Sequence, residues 1–566
     1  MDFKQEITAL IEKKLDEKYG KKIEGIYSFI EQPPNPEMGD YAFPCFRLAK
    51  ELRMGPPMIA KALSEGMEAG FLDRAEQNGG YLNFFIKKEY YAKTVIESAL
   101  DAGMKYGSSV EGEGKTICLD YSSVNIAKPF HLGHLYTTVI GNSLKRIFDF
   151  LGYKTVSINH LGDWGTQFGK LICAFKKWSS EEKLSENPMQ ELVAIYVRFH
   201  DEAEKDPALE DEARVWNKRI EDGDEEAMSI YNMFKEITLK EVKRIYDMLG
   251  ITFDSYLGEA FFFKQTGRVV EELKEKGIMK VDDGASIVDL EEYGMPPCLI
   301  LRSDGATLYA TRDLAAALYR KDTYDFYKCI YVTAYQQNLH FKQWFKVIEL
   351  MGYEWAEGLV HTPYGMVSME DGAMSTRKGH VIYLEDVFKA SVAKAKQIME
   401  EKSPDLADMD KIAQDVGLGA VVFSALSNNR IKDMVFSWDR ALNFDGETGP
   451  YVQYTHARCC SAISKADGDL PQPDYAVLSD PASQALISLL EKLPAVIAEA
   501  ANKYEPSMIT RHTVDIAKAF NKFYFDNRIM DDDLSVRAAR VALTKCARNA
   551  IAIGLDLIGV KAPEKM

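Results

Sequence analysis

Apolar residues recur along the chain at two periods, and each period predicts a kind of element. Ile7, Leu10, Ile11 and Leu15 fall on one face of an N-terminal helix. A strand-like run at Ile23–Ile30 follows, then a breaker-rich loop from Pro33 to Asp40, a helical segment and a second strand over Gly80–Ile86. Gly103, Gly107, Gly112 and Gly114 mark a linker. Thr116–Tyr121 reads as a buried strand, and Gly133–Leu151 as a helix with Leu135, Val139, Leu144, Ile147, Phe148 and Leu151 on its apolar side. Gly152 ends that helix and Thr155–Asn159 is a further strand. Strand, helix and strand in this spacing predict a βαβ unit with a parallel sheet. The next stretch is helical and amphipathic, with acidic residues crowded over Ser179–Glu226, and reads as an insertion near 178–290. Leu299–Arg302 and Thr307–Ala310 flank a hairpin turn at Ser303–Ala306. Lys328–Ala334 is a strand leading into a helix over Leu339–Met351, and Val360–Val367 a strand before a Gly-rich loop at Met369–Gly379. From Glu385 onward the period is helical. The expectation is an α/β chain with a Rossmann-like parallel-sheet core carrying an insertion (108–385), a small N-terminal α+β domain (1–107) and an all-helical C-terminal domain (386–566).

Composition narrows the class. The chain has 566 residues, 46% apolar and 27% charged, which suits a soluble multidomain protein. No apolar run approaches the roughly 18–20 residues of a membrane span, and the first residues lack a signal-peptide layout. Eight cysteines include no C-x-x-C pair, so a reducing cytoplasm, no membrane and no structural zinc are expected. The net charge of −17 argues against a nucleic-acid partner only bluntly, because RNA binding depends on local patches.

Several segments carry chemistry. His131-Leu-Gly-His134 sits where the first core strand turns into its helix. A helix N-terminus with donor side chains and a glycine suits phosphate oxygens; two surface histidines in a loop is the plain alternative. Arg377 and Lys378 lie in the Gly-flanked loop, placed either over a polyphosphate or as a solvated basic turn. Tyr309 and Asp313 are four residues apart and can face the same way, although Asp313 also suits a helix N-cap. Asp163-Trp-Gly165 reads mainly as a structural turn.

The stretch Asp120-Tyr-Ser-Ser-Val-Asn-Ile-Ala-Lys-Pro-Phe-His-Leu-Gly-His134 resembles the signature of the arginyl-tRNA synthetases, with their version of the class I HIGH motif. The likeness continues at Asn159–Gly169, Ser303–Asp313, Tyr335–His340, Met374–Gly379 (similar to the KMSKS loop), Asp445–Arg458 and Gly554–Met566, in order over most of the chain. The resemblance implies ATP-dependent activation of L-arginine to the adenylate with loss of pyrophosphate. The arginyl group then passes to the 3′-terminal ribose of tRNA(Arg), releasing AMP. ATP with Mg2+, L-arginine and tRNA(Arg) are the implied ligands, and a monomer is expected. Such chemistry needs no protein nucleophile; positioning and stabilisation of phosphate charge suffice.

By the same resemblance His131, His134, Lys378, Arg377 and Lys128 are the catalytic group, and His131, Gly133, His134, Met366 and Lys378 hold ATP. Asp120 takes the α-ammonium of arginine and Ser123 and Asn125 its backbone groups, while Tyr309, Asp313 and Gln337 complete that site. For tRNA it implies contacts at Asn35 and Phe43 in the N-terminal domain and at Tyr451, Tyr454 and Arg458, with the basic C-terminal helices (Arg511 to Arg548) behind them. Two positions depart from the family pattern: Val124 replaces a common proline, and Tyr136 stands where an arginine is usual. The missing cation supports a second reading, a catalytically weakened relative that binds tRNA or regulates.

Overall fold

Helix α1 (Phe3–Tyr19) forms where an apolar residue returns every fourth position: Phe3, Ile7, Ile11 and Leu15 are all buried. Burying each of these stabilises by about 1.5–3 kcal/mol over leaving it exposed. The structure, a computed structural model, describes residues 3–33, 35–128, 130–369, 383–437, 446–466 and 468–566. Residues 370–382, with Arg377 and Lys378, lie outside the described residues.

Two compact units emerge: Met1–Tyr106 with Cys459–Lys492 and Asp515–Ala550, and Gly107–Arg458 with Leu493–Val514 and Ile551–Met566. In the first, β1 (Tyr41–Pro44), β2 (Leu72–Asn78) and β3 (Tyr81–Ile86) form an antiparallel sheet of order β1-β3-β2, with α2 (Pro56–Ser64) and α3 (Lys88–Ala102) beside it in sequence. The run expected as a strand at Ile23–Ile30 instead contains a short helix, Ile26–Phe29, and the strand comes after the proline-rich loop. Strand β2 escaped the apolar pattern because only Leu72 of its seven residues is buried, so no alternation marks it.

The second unit is built on a four-stranded parallel sheet of order β10-β9-β4-β5: β4 (Thr116–Asp120), β5 (Lys154–Ile158), β9 (Lys328–Ala334) and β10 (Leu359–Tyr364). Ile117, Cys118, Leu119, Cys329 and Ile330 are fully buried, as expected of a sheet covered on both faces. Helix α4 (Leu132–Phe150) makes the crossover from β4 to β5. It approaches the sheet closely at Gly141, where a Cβ would fall 2.1 Å from the Tyr121 ring. From β4 the chain passes to β5 on one side, and β9 flanks it on the other. The carboxyl ends of β4 and β9 therefore border the crevice in which ligands of such sheets bind.

Between β5 and β9 lie α5 (Thr166–Trp178), α6 (Glu181–Glu186), α7 (Pro188–Ala203), α8 (Ala208–Glu221), α9 (Glu225–Leu249), α10 (Glu259–Phe263) and α11 (Thr266–Glu275). An antiparallel sheet of β6 (Met279–Asp282), β7 (Ala285–Val288) and β8 (Cys298–Leu301) follows. The hairpin turn at Ser303–Ala306 closes through Arg302 N–H to the Ala306 carbonyl at 2.9 Å. Thr307–Ala310, expected as its second strand, contributes one bridge, Leu301 to Thr307, before α12 (Tyr309–Tyr324) begins. Helix α13 (Asn338–Leu350) leads to β10. A small parallel pair joins β11 (Val367–Met369) to β12 (Met434–Phe436), with α14 (Leu384–Lys402) and α15 (Met409–Leu426) between them. Helices α16 (Gly449–Ser464), α17 (Pro481–Lys503), α18 (Ser507–Asp526) and α19 (Leu534–Leu557) complete the chain. The eight cysteines are thiols, not joined in disulfides, and among the described residues no helix is long and apolar enough to cross a membrane.

Candidate active site

The loop between β4 and α4 is strained and heavily braced. Ser122, Ser123 and Ala127 all have left-handed φ angles of 73°, 43° and 61°, a conformation costly for residues with a Cβ and held only where surroundings over-determine it. Ser122 N–H donates to Thr137 Oγ1 at 3.3 Å, Ala127 N–H to Thr238 Oγ1 at 2.9 Å, and Ile126 N–H to the Gly162 carbonyl at 3.1 Å. The Ser122 hydroxyl meets Tyr246 Oη at 2.6 Å. Thr238 and Tyr246 belong to α9, so part of the span read as an insertion holds the loop in place. Gly162 permits the loop's approach: a Cβ there would fall 2.3 Å from Asn125 Oδ1.

His131 is the N-cap of α4. Its Nδ1 accepts the Gly133 N–H at 3.1 Å, and His134 Nδ1 accepts the His131 N–H at 3.3 Å. Both rings thus use Nδ1 to satisfy donors of the helix start, and the neutral form of each carries its proton on Nε2. Burial, then the Lys128 charge, lowers the His131 pKa to about 4; burial, His131 and Lys128 hold His134 well below its ordinary value. The rings are tilted to each other by 36° with centroids 4.0 Å apart. They are N–H donors beside helix amides, not cations. Together with Lys128, Gly133, Thr137, Tyr364 and Met366 they line a cavity of about 640 Å³. Met366 is fixed by its N–H to Asp433 Oδ1 at 2.7 Å and its carbonyl to the Met434 N–H at 2.8 Å.

A second cavity, of about 420 Å³, is lined by Asp120, Ser123, Asn125, His160, Glu259, Tyr309, Asp313, Thr333, Gln337 and His340. Ser123, Asn125, Thr333 and Gln337 line both cavities, so the two share a wall. Asp313 does not cap its helix, where Leu308 is the N-cap; its Oδ2 instead lies 2.6 Å from His340 Nε2. Tyr309, 64% exposed, has the Arg312 guanidinium over its ring at 4.7 Å. Asp120 ends β4 with Oδ2 2.7 Å from Arg320 Nη2, while Ser123 Oγ donates to its Oδ1 at 3.0 Å.

Glu259 is the residue that sequence reasoning missed, because it falls in the span read as an insertion. Its N–H donates to the Leu161 carbonyl at 3.0 Å, and the next N–H, of Ala260, to Asp163 Oδ1 at 2.9 Å. Fully buried Asp163 is paired with Lys235 at 2.7 Å. The turn at Asp163-Trp-Gly165 therefore has a structural task, to set Glu259 on the cavity. Burial raises the Glu259 carboxyl pKa to about 7, against Arg312 3.7 Å away. A guanidinium arriving beside Glu259 favours its ionised form, so binding expels a proton and tightens as pH rises. The apparent KM for a guanidinium substrate is expected to climb by about tenfold between pH 8 and 6, and Glu259→Gln to flatten that dependence. Steady-state kinetics across that range check it; an unaltered profile in the variant removes Glu259 from the role.

Tyr136, in place of the usual arginine, is buried and edge-on to Tyr364, with centroids 5.6 Å apart. Burial, then Glu505, pushes its phenol up to about 12 while Arg430 pulls it down. Arg430, donating to the Pro363 and Tyr504 carbonyls at 3.0 and 2.8 Å, brings to this neighbourhood a cation that Tyr136 lacks.

The expected RNA contacts divide. Asn35 is exposed, with its Oδ1 accepting the Glu37 N–H. Phe43 is a correction: it is fully buried in β1, and a ring without an exposed face has none to stack on a base. Tyr451, Tyr454 and Arg458 follow one face of α16, with the Arg458 guanidinium 5.0 Å over the half-exposed Tyr454 ring. Several C-terminal cations are engaged locally: Arg540 with Asp531 at 2.9 Å, Lys522 with Asp526 at 3.1 Å and Arg537 with the Asp531 carbonyl at 2.8 Å. Among the described residues no three His, Cys, Asp or Glu side chains converge as a metal site.

Three family models match the chain in order: the arginyl tRNA synthetase N terminal domain at residues 5–86, the class I (R) tRNA synthetase catalytic domain at 95–438, and the DALR anticodon binding domain at 452–566. The chain belongs to the arginyl-tRNA synthetase family. Relatives in that family include the arginine–tRNA ligases of Clostridioides difficile (strain 630), 53% identical over 567 residues, and Alkaliphilus metalliredigens (strain QYMF), 52% identical over 572, each match covering all of both chains. The arginyl-tRNA synthetase of Thermus thermophilus superposes over the whole of both chains with a TM-score of 0.82 at 25% identity. As an arginyl-tRNA synthetase of class I, the chain has its catalytic domain, residues 95–438, around the parallel sheet.

Proposed function

We infer that the chain activates L-arginine with ATP and transfers the arginyl group to the 3′-terminal ribose of tRNA(Arg). The observation that carries this reading is the shared wall of the two cavities. On one side stand neutral His131 and His134 at a helix N-terminus, with Lys128; on the other stand Asp313 and Glu259. A triphosphate seats in the first and a guanidinium in the second, and the arginine carboxylate meets the α-phosphate at Ser123, Asn125, Thr333 and Gln337. The carboxylate attacks that phosphorus and pyrophosphate leaves. The protein supplies alignment and donors to developing charge, and the family resemblance adds Arg377 and Lys378 as further cations for the triphosphate. Magnesium would come with the nucleotide and would offset charge on its phosphates. Asp120 takes the α-ammonium.

For the tRNA, the exposed pair Phe46 and Tyr81, with ring centroids 5.7 Å apart, replaces Phe43 as the stacking group of the N-terminal unit. Tyr454 and Arg458 serve on α16, since unstacked bases are held by planar groups. Eight cysteines kept as thiols support action in a reducing cytoplasm, and the chain is read as a monomer. Aminoacylation of tRNA(Arg) with radiolabelled arginine, lysine and cysteine tests the reading, with pyrophosphate exchange run with and without tRNA. Charging with arginine alone is the expected result; charging with cysteine, or with nothing, overturns it.

A further inference from the structure

Arginine reaches this site with two cationic ends, an α-ammonium and a guanidinium. The cavity offers three carboxylates, Asp120, Glu259 and Asp313. Charge alone does not decide which end goes where. The fold contains a resident guanidinium that does. Arg320 is 2% exposed and its Nη2 lies 2.7 Å from Asp120 Oδ2, with the Asp120 side chain 8% exposed. The same Nη2 is 3.2 Å from His160 Nδ1, and its guanidinium carbon lies 5.3 Å from the centre of the Tyr331 ring. Tyr331 is the register partner of Asp120 across β4 and β9. His160 is stacked at 5.4 Å on Phe262 of α10, the helix that carries Glu259. Arg320 also follows Asp313 by seven residues on α12, two turns along and nearly on the same face. One side chain therefore ties together the elements bearing all three carboxylates.

We propose that Arg320 is a specificity-determining positioning residue: by occupying one oxygen of Asp120 it makes that carboxylate accept a point ammonium and refuse a planar guanidinium. A guanidinium fork binds a carboxylate best through both oxygens in one plane. Oδ2 of Asp120 is taken by Arg320, and Oδ1 already accepts from Ser123. What is left is one acceptor direction on each oxygen, enough for the separate N–H donors of an ammonium, whereas a planar fork needs both oxygens open in one plane. The Arg320 charge also offsets that of Asp120, leaving Glu259 and Asp313 as the anionic end that draws the substrate's guanidinium. The inference rests on the reading of Asp120 as the α-ammonium site.

The test is equilibrium titration of the full chain with L-arginine and with 5-guanidinopentanoate, which lacks the α-ammonium. The ratio of the two dissociation constants reports the ammonium subsite alone. Arg320→Met is expected to lower the preference for L-arginine about tenfold, with the KM for ATP unchanged. Equal weakening of both ligands, or an unchanged ratio, overturns the proposal, since a merely structural role moves both together. Asp120→Asn is expected to lower the ratio as well. If that variant leaves the ratio unchanged, the ammonium reading of Asp120 falls; if it responds and Arg320→Met does not, the role of Arg320 alone falls. Should Arg320→Met fail to fold, Arg320→Lys keeps the charge without the fork. It is expected to lower the ratio about threefold or more, and an unchanged ratio overturns the proposal.

Discussion

Asp313→Asn is expected to cut kcat/KM for arginine by about 30- to 5000-fold, chiefly through KM. This corresponds to the roughly 2–5 kcal/mol lost when one member of a desolvated, hydrogen-bonded charge pair is neutralised. The substitution is nearly isosteric, and an asparagine Oδ1 still accepts from His340 Nε2, so the 2.6 Å contact that orients the side chain has a substitute. What disappears is the charge that we propose faces the substrate's guanidinium. Because the guanidinium is remote from the reacting carboxylate, its contacts act alike in ground and transition states, and their loss falls on KM. Aminoacylation kinetics at varied arginine check this, with the KM for ATP as internal control. The same variant should narrow discrimination against lysine, because the intact carboxylate leaves an acceptor unpaired when a point ammonium replaces the fork. A variant that keeps its KM for arginine would move guanidinium recognition away from α12.

How much of this was legible in the sequence differs by element, for physical reasons. The βαβ core was readable because its central strands are buried on both faces and its helix carries an apolar stripe in sequence, although the fold buries that helix on nearly every side; Thr116, Lys328 and Ala334 all fall at strand ends in the structure. The β4–α4 turn was readable because its chemistry is concentrated in one continuous segment. Glu259 was not. It owes its place to Leu161, Asp163 and Lys235, three positions spread across more than seventy residues, and helical periodicity near 178–290 says only that apolar faces are covered, not what covers them. The same holds for Thr238 and Tyr246, whose hydroxyls brace the strained loop from an acidic, amphipathic helix. Arg320 gave no local signal at all: a charged residue on a helix is read as exposed unless its partner is known, and Asp120 lies 200 residues earlier. Phe43 shows the converse. The family resemblance implied a tRNA contact there, whereas the pairing of Phe43 with Leu82 sets its ring in the core.

His131→Asn is expected to slow arginine activation by about 10²- to 10³-fold in kcat, the scale of losing one donor to developing charge, while leaving the fold intact. The histidine has two separable tasks. Its Nδ1 caps α4 by accepting the Gly133 N–H at 3.1 Å, and its Nε2–H is left for a phosphate oxygen. Asparagine is among the best N-cap residues and its Oδ1 replaces Nδ1 in the first task, but its side chain is too short for the second. The KM for ATP should therefore change by less than about threefold and the melting temperature by no more than about 2 °C, since a retained cap forfeits little of the ~1 kcal/mol a cap contributes. His131→Ala removes both tasks and should show the same loss of rate together with a lower melting temperature. Pre-steady-state pyrophosphate release and thermal unfolding of the two variants separate the roles. An asparagine variant with undiminished rate would mean that the helix amides and Lys128 alone carry the phosphate charge, and that the ring at this position serves only to start the helix.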